Sequence, residues 1–137
     1  MKKYCVATAI IQEDNKYFIA KRAKTKKIAP DLWEFVTGFV EDHEAAEDAI
    51  LREMIEEIGS RGTIVQKLNV IQMNKNDERW IVLPFLVHVS SVDIRTKPEE
   101  HSVGEWVTWE ELDRLSADEF RYDLNLLSQV LGQKQLA

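Results

Sequence analysis

The stretch Gly38–Ser60, GFVEDHEAAEDAILREMIEEIGS, is the most informative part of this chain. Between Glu41 and Glu57 it carries eight acidic residues and one base, Arg52. That is a local charge of −7 in a chain whose net charge is −6. Almost all of the excess acid therefore lies in one segment. Such a concentration of carboxylates needs a counter-charge, and a divalent cation is the simplest one.

The same stretch predicts a long helix over residues 44–58, because alanine, leucine, methionine and glutamate all favour helices. Gly59 predicts the end of this helix. At about 100° per residue, one face of the helix is apolar and consists of Ala46, Ala49, Ile50, Met54 and Ile58. Glu53 and Glu57 are four residues apart and share a face at the edge of this apolar surface, with Glu56 beside them.

Two interpretations of the acidic helix are open. Runs of charge are most often the solvated faces of helices. Carboxylates at the edge of an apolar surface, however, are costly unless they are paired or bind a metal, and like charges four residues apart destabilise a helix. Carboxylate oxygens without a cluster of cysteines or histidines suit Mg²⁺ or Mn²⁺. The second interpretation predicts a metal site that binds a di- or triphosphate.

Patterns elsewhere in the chain predict strands over residues 4–12, 17–22, 32–36, 68–73, 79–89 and 106–108. Pro84 predicts an edge position or a bulge for the fifth of these strands. Thr108 and Glu111 have the spacing of a capping box before a short helix over residues 109–115. Ser116 and Glu119 repeat that spacing before a final helix, whose apolar face consists of Phe120, Leu124, Leu127 and Leu131. The order of elements predicts an α/β fold, with a mixed sheet and helices on its faces.

The whole chain limits the possible classes of protein. Its 137 residues, 45% apolar and 31% charged, are typical of one globular domain, which we expect to span residues 1–137. The net negative charge argues against a partner that is a nucleic acid polymer. Cys5 is the only cysteine, so an intrachain disulfide is impossible and a cytoplasmic location is expected. No apolar stretch has the length of a membrane span, and the apolar N-terminal run is interpreted as a strand rather than a signal peptide.

The acidic stretch resembles the signature of the Nudix hydrolases, GX5EX7REUXEEXGU, in which U is aliphatic. The matching positions are Gly38, Glu44, Arg52, Glu53, Met54, Glu56, Glu57 and Gly59. Ser60 stands where the signature has an aliphatic residue. The segments VATAII, LWEF and GEWVTWEEL resemble the MutT-type branch of the family, although Thr37 occupies a position that is usually glycine. The resemblance implies the Nudix fold, a mixed β-sheet sandwiched between α-helices.

The resemblance also implies a metal site. Family members hydrolyse a phosphoanhydride bond in a nucleoside diphosphate that is linked to another moiety. Glu53, Glu56 and Glu57 are expected to hold Mg²⁺, for which Mn²⁺ can substitute, and Glu53 is the best candidate for the base that deprotonates water. The carbonyl of Thr37 and the carboxylate of Glu100 are expected as further metal ligands.

Other positions of the signature are expected to shape the site. Arg52 is predicted to orient the glutamates rather than to contact the substrate. Glu44 is predicted to stabilise the junction of loop and helix, although an acid at a helix N-terminus is equally well explained by the helix dipole. Gly38 and Gly59 are expected to allow sharp turns of the backbone.

Candidates for substrate binding lie outside the signature. Lys21 and Arg22 belong to a basic segment and are candidates for contacts with outer phosphates. Trp33 and Phe35 are candidates for stacking on a base, although a core role is more common for such residues. Asn125 lies near the place where MutT-type enzymes have an asparagine that recognises the base. Trp80, Trp106 and Trp109 are assigned to packing. His101, beside Glu100, is a candidate for a residue that supports the metal ligands, but an exposed position is the expectation.

The leading hypothesis is a Mg²⁺-dependent nucleoside (deoxy)triphosphate pyrophosphohydrolase that releases the monophosphate and pyrophosphate. It would act on small nucleotides, as a monomer or a homodimer. ADP-ribose, nucleotide sugars, dinucleoside polyphosphates and dihydroneopterin triphosphate are alternative substrates. A non-catalytic module that senses nucleotides is the alternative from another class. The glutamates of the signature are all present, which favours an enzyme.

Overall fold

The structure is a computed structural model that describes the backbone of residues 1–136 and the side chains of residues 1–132. The strands are β1 (Lys2–Glu13), β2 (Lys16–Arg22), β3 (Trp33–Glu34), β4 (Val36–Phe39), β5 (Gly62–Lys67), β6 (Ile71–Lys75), β7 (Glu78–Val89) and β8 (His101–Thr108). The helices are α1 (Ala46–Ile58), α2 (Trp109–Asp113) and α3 (Leu124–Leu136). In the part of the chain that the structure describes, no helix is both long enough and apolar enough to span a membrane.

The sheet is mixed and is built around β1. Strand β1 pairs in parallel with β7 along most of its length, and it pairs antiparallel with β4 and, at its end, with β2. Strand β2 also pairs with β3 and β8, and β7 pairs with β6 and then with β5, all antiparallel. This topology brings the end of β2, the start of β8, β3 and β4 close together.

Helices cover both faces of the sheet because the strands alternate apolar side chains between two buried surfaces. On one face, α1 packs Ala49, Ile50 and Met54 against residues of β1 and β7. On the other face, α2 and α3 contribute Leu112 and Leu127 to a second core cluster. The predicted α/β class and the sandwiched sheet are confirmed. Each buried Ile, Leu or Met side chain contributes about 1.5–3 kcal/mol relative to its exposed state, so α1 is held firmly by its apolar face.

Several element boundaries differ from the predictions. The strand predicted over residues 68–73 corresponds to β6, which begins only at Ile71, and strand β5 before it was not predicted; buried Leu68 lies between the two. Strand β8 begins at His101 rather than at 106, and in place of the single strand predicted over residues 32–36 there are two short strands, β3 and β4. Pro84 is in an internal strand, between the part of β7 that pairs with β6 and the part that pairs with β5. A missing N–H is tolerated there because the partner strand changes.

The capping predictions had different outcomes. Thr108 and Glu111 form the predicted capping box of α2. Ser116 donates its backbone N–H to the side chain of Glu119 at 3.0 Å, but the residues that follow form a turn and not a helix. Helix α3 begins only at Leu124, so Phe120 packs in the core ahead of the helix.

Candidate active site

Helix α1 places three glutamates at one end of the sheet. Gly59 ends the helix in the left-handed conformation, with φ 63°, and donates its N–H to the carbonyl of Ile55 at 3.1 Å. The apolar face of the helix is buried, and Glu57 belongs to this face with only 5% of its surface exposed. Glu53 is half-buried and Glu56 is exposed. The three carboxylates therefore differ in their exposure to water.

These glutamates line a cavity of about 360 Å³, which we call the acid pocket. Its acidic residues are Glu41, Glu53, Glu56, Glu57 and Glu100. Thr37 and Gly38 of β4 form another part of its wall, and its basic residues are Arg22, Lys26 and Arg121. All five predicted metal ligands thus line one cavity, although Glu100 is 43 or more residues away from the glutamates of α1 in the sequence.

Gly38 is required by the close approach of Glu53. A Cβ atom at position 38 would lie 2.1 Å from Cγ and 2.2 Å from Cδ of Glu53. These distances are far below contact distance, so any side chain here would displace the carboxylate. Glycine at this position therefore lets the Glu53 side chain cross directly over strand β4. The sharp turn expected at Gly38 is wrong, because this residue lies within β4 and pairs with Ala7 of β1.

Arg52 holds the acidic side chains in place. It donates to both carboxylate oxygens of Glu44, at 2.8 and 3.0 Å, and to Glu53 at 2.8 Å and Glu56 at 3.2 Å. The hydrogen bond to Glu44 and those to the other acids raise the pKa of the Arg52 guanidinium, so it stays charged. Hydrogen bonds from Arg52 and from the N–H of Glu41 lower the pKa of Glu44. These contacts are those of a residue that positions the glutamates.

Among the described residues, the salt-bridge contact of Glu57 is to His101 Nε2, which is 3.9 Å away. Burial, followed by repulsion from Glu34, Glu53 and Glu100, raises the pKa of Glu57 to about 10. Its Oε2 atom is buried and has no hydrogen-bond partner among the described residues. An orphaned buried carboxylate oxygen beside other carboxylates is the donor set that a hard divalent cation needs. The residues present therefore fit a divalent metal.

Glu34, which the sequence analysis missed, is the other buried carboxylate of this region. It is fully buried and accepts hydrogen bonds from Arg121 at 2.7 Å, from His101 Nε2 at 2.8 Å and from Arg22 at 3.1 Å. Burial alone would raise the pKa of Glu34, but His101, Arg121 and Arg22 together lower it. A charged residue inside the apolar run LWEFV was the available signal for such a buried ion pair.

The expectation that His101 is exposed was wrong. Only 1% of its surface is accessible, and its Nε2 atom lies 2.8 Å from Glu34 and 3.9 Å from Glu57. The pairing of β8 with β2 causes this, because His101 is opposite Arg22 at a register shift between the two strands. His101 therefore connects the two buried carboxylates.

Thr37 uses its side chain in a way that glycine could not. Its hydroxyl is 2.9 Å from the Thr8 hydroxyl and from the carbonyl of Phe35, and it also contacts the Tyr122 hydroxyl. Burial raises the pKa of Tyr122 to about 12, so this phenol is a neutral hydrogen-bond partner. The departure from the usual glycine is thus accommodated by a buried network of hydroxyl groups beside the acid pocket.

The predicted substrate-binding residues separate into two groups. Arg22 lines the acid pocket. Phe35 is fully buried, with its ring 5.5 Å from that of Phe120, so its predicted stacking on a base is wrong. Trp33 packs against the same core cluster, and Lys21, which is opposite Trp33 in the sheet, lines neither cavity described here. Packing of the β3 strand explains why these two aromatic residues face inward.

A second, larger cavity of about 740 Å³ adjoins the acid pocket, and we call it the large cavity. Asn125 lines it, as do Trp80 and Phe120. Ile28 and Arg121 line both cavities. A ligand with a charged end and a larger, less charged part therefore has room on both sides of these two residues.

The sequence model of the NUDIX domain matches residues 1–126. The chain belongs to the Nudix family. It is 37% identical over 103 residues to the 8-oxo-dGTP diphosphatase of Proteus vulgaris, which covers 75% of this chain and 91% of the relative. It is 27% identical over 130 residues to the RNA pyrophosphohydrolase of Pelagibacter ubique, strain HTCC1062, covering 82% and 80% of the two chains. The crystal structure of a MutT NUDIX hydrolase from Burkholderia pseudomallei superposes with a TM-score of 0.72 at 26% identity, covering 85% of this chain and 88% of the other.

This Nudix protein is of the MutT type, and it is a hydrolase of the pyrophosphohydrolase kind that acts on acid anhydrides. Nudix hydrolases generally use divalent metals, and the acid pocket offers the oxygen ligands that such a metal requires. The expected family, fold and class of enzyme are confirmed. The roles of individual residues in the acid pocket remain predictions.

Proposed function

We propose that this Nudix hydrolase is a Mg²⁺-dependent nucleoside (deoxy)triphosphate pyrophosphohydrolase, which releases a nucleoside monophosphate and pyrophosphate. The observation that carries the proposal is the orphaned carboxylate oxygen of Glu57 at a pocket that Glu53, Glu56 and Glu100 also line. The five carboxylates of this small pocket repel a polyphosphate and repel each other, and Arg52 and Lys26 pair with only some of them. A divalent cation offsets the repulsion among the carboxylates and the repulsion between the carboxylates and the polyphosphate.

The metal ligands in this proposal are Glu53, Glu56, Glu57 and Glu100, together with the backbone carbonyl of Thr37. Hard oxygen ligands favour Mg²⁺, with Mn²⁺ as a substitute. When bound, such a cation lowers the pKa of water and offsets the charge on the phosphates. The unpaired Glu57 oxygen supports this assignment because its burial is unfavourable without a cation.

The residues of the chain divide the remaining tasks. Glu53 accepts a proton at a carboxylate oxygen while the water oxygen forms a bond to phosphorus. The P–O bond between the α- and β-phosphates breaks, its electron pair stays on the bridging oxygen, and the products are the monophosphate and pyrophosphate. Arg52 holds Glu53 and Glu56 in position through hydrogen bonds of 2.8 and 3.2 Å. Arg22 and Lys26 on the pocket wall offset the charge of the phosphates.

The rest of the substrate is proposed to extend into the large cavity, where Asn125 is the candidate for a contact with the base. The name of the Proteus relative supports a nucleoside triphosphate as substrate. The name of the Pelagibacter relative makes the triphosphate at an RNA 5′ end the second candidate. We also propose that the enzyme acts in the cytoplasm, as a monomer or a homodimer.

The test is a panel of phosphoanhydrides with Mg²⁺ and with Mn²⁺, in which the products are identified. The panel contains the common ribo- and deoxyribonucleoside triphosphates, 8-oxo-dGTP, ADP-ribose, nucleotide sugars, dinucleoside polyphosphates, dihydroneopterin triphosphate and a 5′-triphosphorylated RNA. We expect the fastest turnover with a nucleoside triphosphate, giving the monophosphate and pyrophosphate. Turnover of the RNA alone would select the second candidate, and no turnover of any compound would support a nucleotide-sensing module.

Matched variants connect the activity to the acid pocket. Glu53→Gln is expected to lower turnover about 10²–10⁴-fold, the usual contribution of a general base. Glu47→Gln is the control, because Glu47 is an exposed acid of the same helix that does not line the acid pocket. Equal losses in both variants would contradict the assigned role of Glu53.

A further inference from the structure

Arg121 lies where the acid pocket and the large cavity meet, since it lines both. The backbone around it is fixed against strand β3. Trp33 donates its N–H to the carbonyl of Glu119 at 2.8 Å, and Arg121 donates its N–H to the carbonyl of Trp33 at 2.9 Å. The segment before α3 thus continues the edge of the sheet and presents the Arg121 side chain at the junction.

The Arg121 guanidinium is held on two sides. Its Nη1 donates to Glu34 at 2.7 Å, and its central carbon lies 5.4 Å from the centre of the Trp80 ring. Only 9% of the side chain is exposed, so the group is confined to a narrow range of positions. A cation held this tightly is pre-organised, which lowers the entropic cost of binding a ligand.

Most of the hydrogen-bonding capacity of Arg121 is unused within the described residues. A guanidinium has five N–H groups, and one of them is used in the bond to Glu34. Among the described residues, the buried side-chain atoms without a partner are Glu57 Oε2 and His101 Nδ1, so neither Nε nor Nη2 of Arg121 is both buried and without a partner. The N–H groups on Nε and Nη2 therefore reach the water of the cavities that Arg121 lines. A guanidinium that served only to neutralise Glu34 would not need this access, and Arg22 already pairs with that carboxylate.

We propose that Arg121 binds the phosphate that stays attached to the nucleoside, at the passage from the acid pocket to the large cavity. Glu34 is the positioning residue that holds Arg121 there. The proposal rests on the proposed function, because it needs a substrate with phosphates on one side and a nucleoside on the other. Arg121 then makes binding depend on the 5′-phosphate and connects the two parts of the substrate.

The contact between Arg121 and this phosphate can be tested without turnover, by measuring the binding of the proposed product, a nucleoside monophosphate. Titration calorimetry measures the dissociation constants of the common ribo- and deoxyribonucleoside 5′-monophosphates, and the tightest of them is compared with its nucleoside. We expect the wild-type protein to prefer the monophosphate by about 10-fold or more, as for hydrogen bonds to a charged group. Arg121→Gln is expected to remove this preference while the affinity for the nucleoside stays unchanged.

Two further variants control for unfolding of Arg121→Gln and for a general effect of removing an arginine. Arg121→Lys keeps a positive charge for Glu34 and is expected to fold, but it lacks the planar fork of donors, so it should keep only part of the preference. Arg114→Gln is the matched control, because Arg114 is an exposed residue at the end of α2 that lines neither cavity. The melting temperature of each variant shows whether it is folded. If Arg121→Gln unfolds, Arg121→Lys carries the test.

The outcomes separate this inference from the proposed function. A wild-type preference for the monophosphate that persists in Arg121→Gln, or in Arg121→Lys if only that variant folds, would overturn the role of Arg121, whatever the enzyme hydrolyses. The absence of any preference in the wild-type protein would overturn it as well. If no nucleoside triphosphate is hydrolysed but the preference is present and depends on Arg121, the proposed reaction fails and the phosphate contact stands.

Discussion

Glu34 and Glu57 are two buried carboxylates close to the same histidine, and their surroundings shift their pKa values in opposite directions. Glu34 receives hydrogen bonds from Arg22, Arg121 and His101, and these partners keep its pKa low. Glu57 has acidic neighbours and an orphaned oxygen, and burial together with those neighbours raises its pKa to about 10. The fold supplies the counter-charge at Glu34. At Glu57 the salt-bridge contact within the described residues is His101 at 3.9 Å, and the proposed metal would supply the remaining counter-charge.

Among the substitutions that test this difference, the largest expected effect is the loss of protein stability in Glu34→Gln. Glu34→Gln leaves Arg22 and Arg121 buried without their carboxylate, which is expected to cost about 3–5 kcal/mol in the free energy of unfolding. Denaturant unfolding measures this loss. The same substitution at Glu57 should leave stability in the absence of metal unchanged or higher, because it removes the cost of keeping this buried carboxyl protonated well above its ordinary pKa. Equal destabilisation by the two variants would contradict the difference between the two carboxylates.

The next effect is on activity at Glu57. Glu57→Gln is expected to lower turnover by at least about 100-fold, since loss of a direct metal ligand should cost no less than loss of a residue that only orients one. The measurement is steady-state hydrolysis at saturating Mg²⁺, with Glu47→Gln as the exposed control on the same helix. Turnover like that of the wild-type protein would exclude Glu57 as a metal ligand.

The signature glutamates could be predicted from the sequence because one helix carries them at fixed spacing. Glu53 and Glu57 share a face through helical geometry alone, and Gly59 ends the helix as expected. The partners of Glu34 could not be predicted in this way. Arg121 and His101 are 87 and 67 residues away from Glu34, and they meet it only through the pairing of strands and the turn before α3.

The missed strand and the wrong aromatic assignment have local causes. Strand β5 contains the β-branched residues Thr63, Ile64 and Val65, a signal that the prediction of a single later strand overlooked. Phe35 was predicted to stack on a base, but it is fully buried because β3 lies between β2 and the segment before α3. Strand order decides the burial of Phe35, and sequence pattern alone left that order open.

A smaller effect is expected at the glycine beneath Glu53. Gly38→Ala should force the Glu53 carboxylate to move, because the new Cβ would lie 2.1 Å from Cγ of Glu53. A displacement of about 1 Å can cost about 100-fold in rate, while overpacking costs about 1–3 kcal/mol in stability. Gly132→Ala is the control, since its Cβ would have nothing within 4 Å and should favour helix α3. Unchanged activity in Gly38→Ala would show that the position of Glu53 is not critical.

The smallest effect, for each unit of pH, is on the stability of the metal-free protein. The pKa of Glu57 is raised from 4.5 to about 10, so the folded protein keeps a proton that the unfolded chain has lost within this window. Its contribution to stability is complete below pH 4.5 and is lost as the pH rises toward 10, by at most about 1.4 kcal/mol per pH unit. The difference in unfolding free energy between the wild-type protein and Glu57→Gln, followed from pH 5 to 9, measures it. A flat difference would contradict the contrast between the two carboxylates.

The most direct test of the central claim is calorimetric titration of the nucleotide-free protein with Mg²⁺ in buffers of different ionisation enthalpy. If a divalent cation is the missing counter-charge of Glu57, binding must displace the proton that this carboxylate holds at neutral pH. We predict saturable binding with release of about one proton per protein molecule, and loss of that release in Glu57→Gln but not in Glu47→Gln. Binding without proton release, or with equal release in the wild-type protein and Glu57→Gln, would contradict the claim.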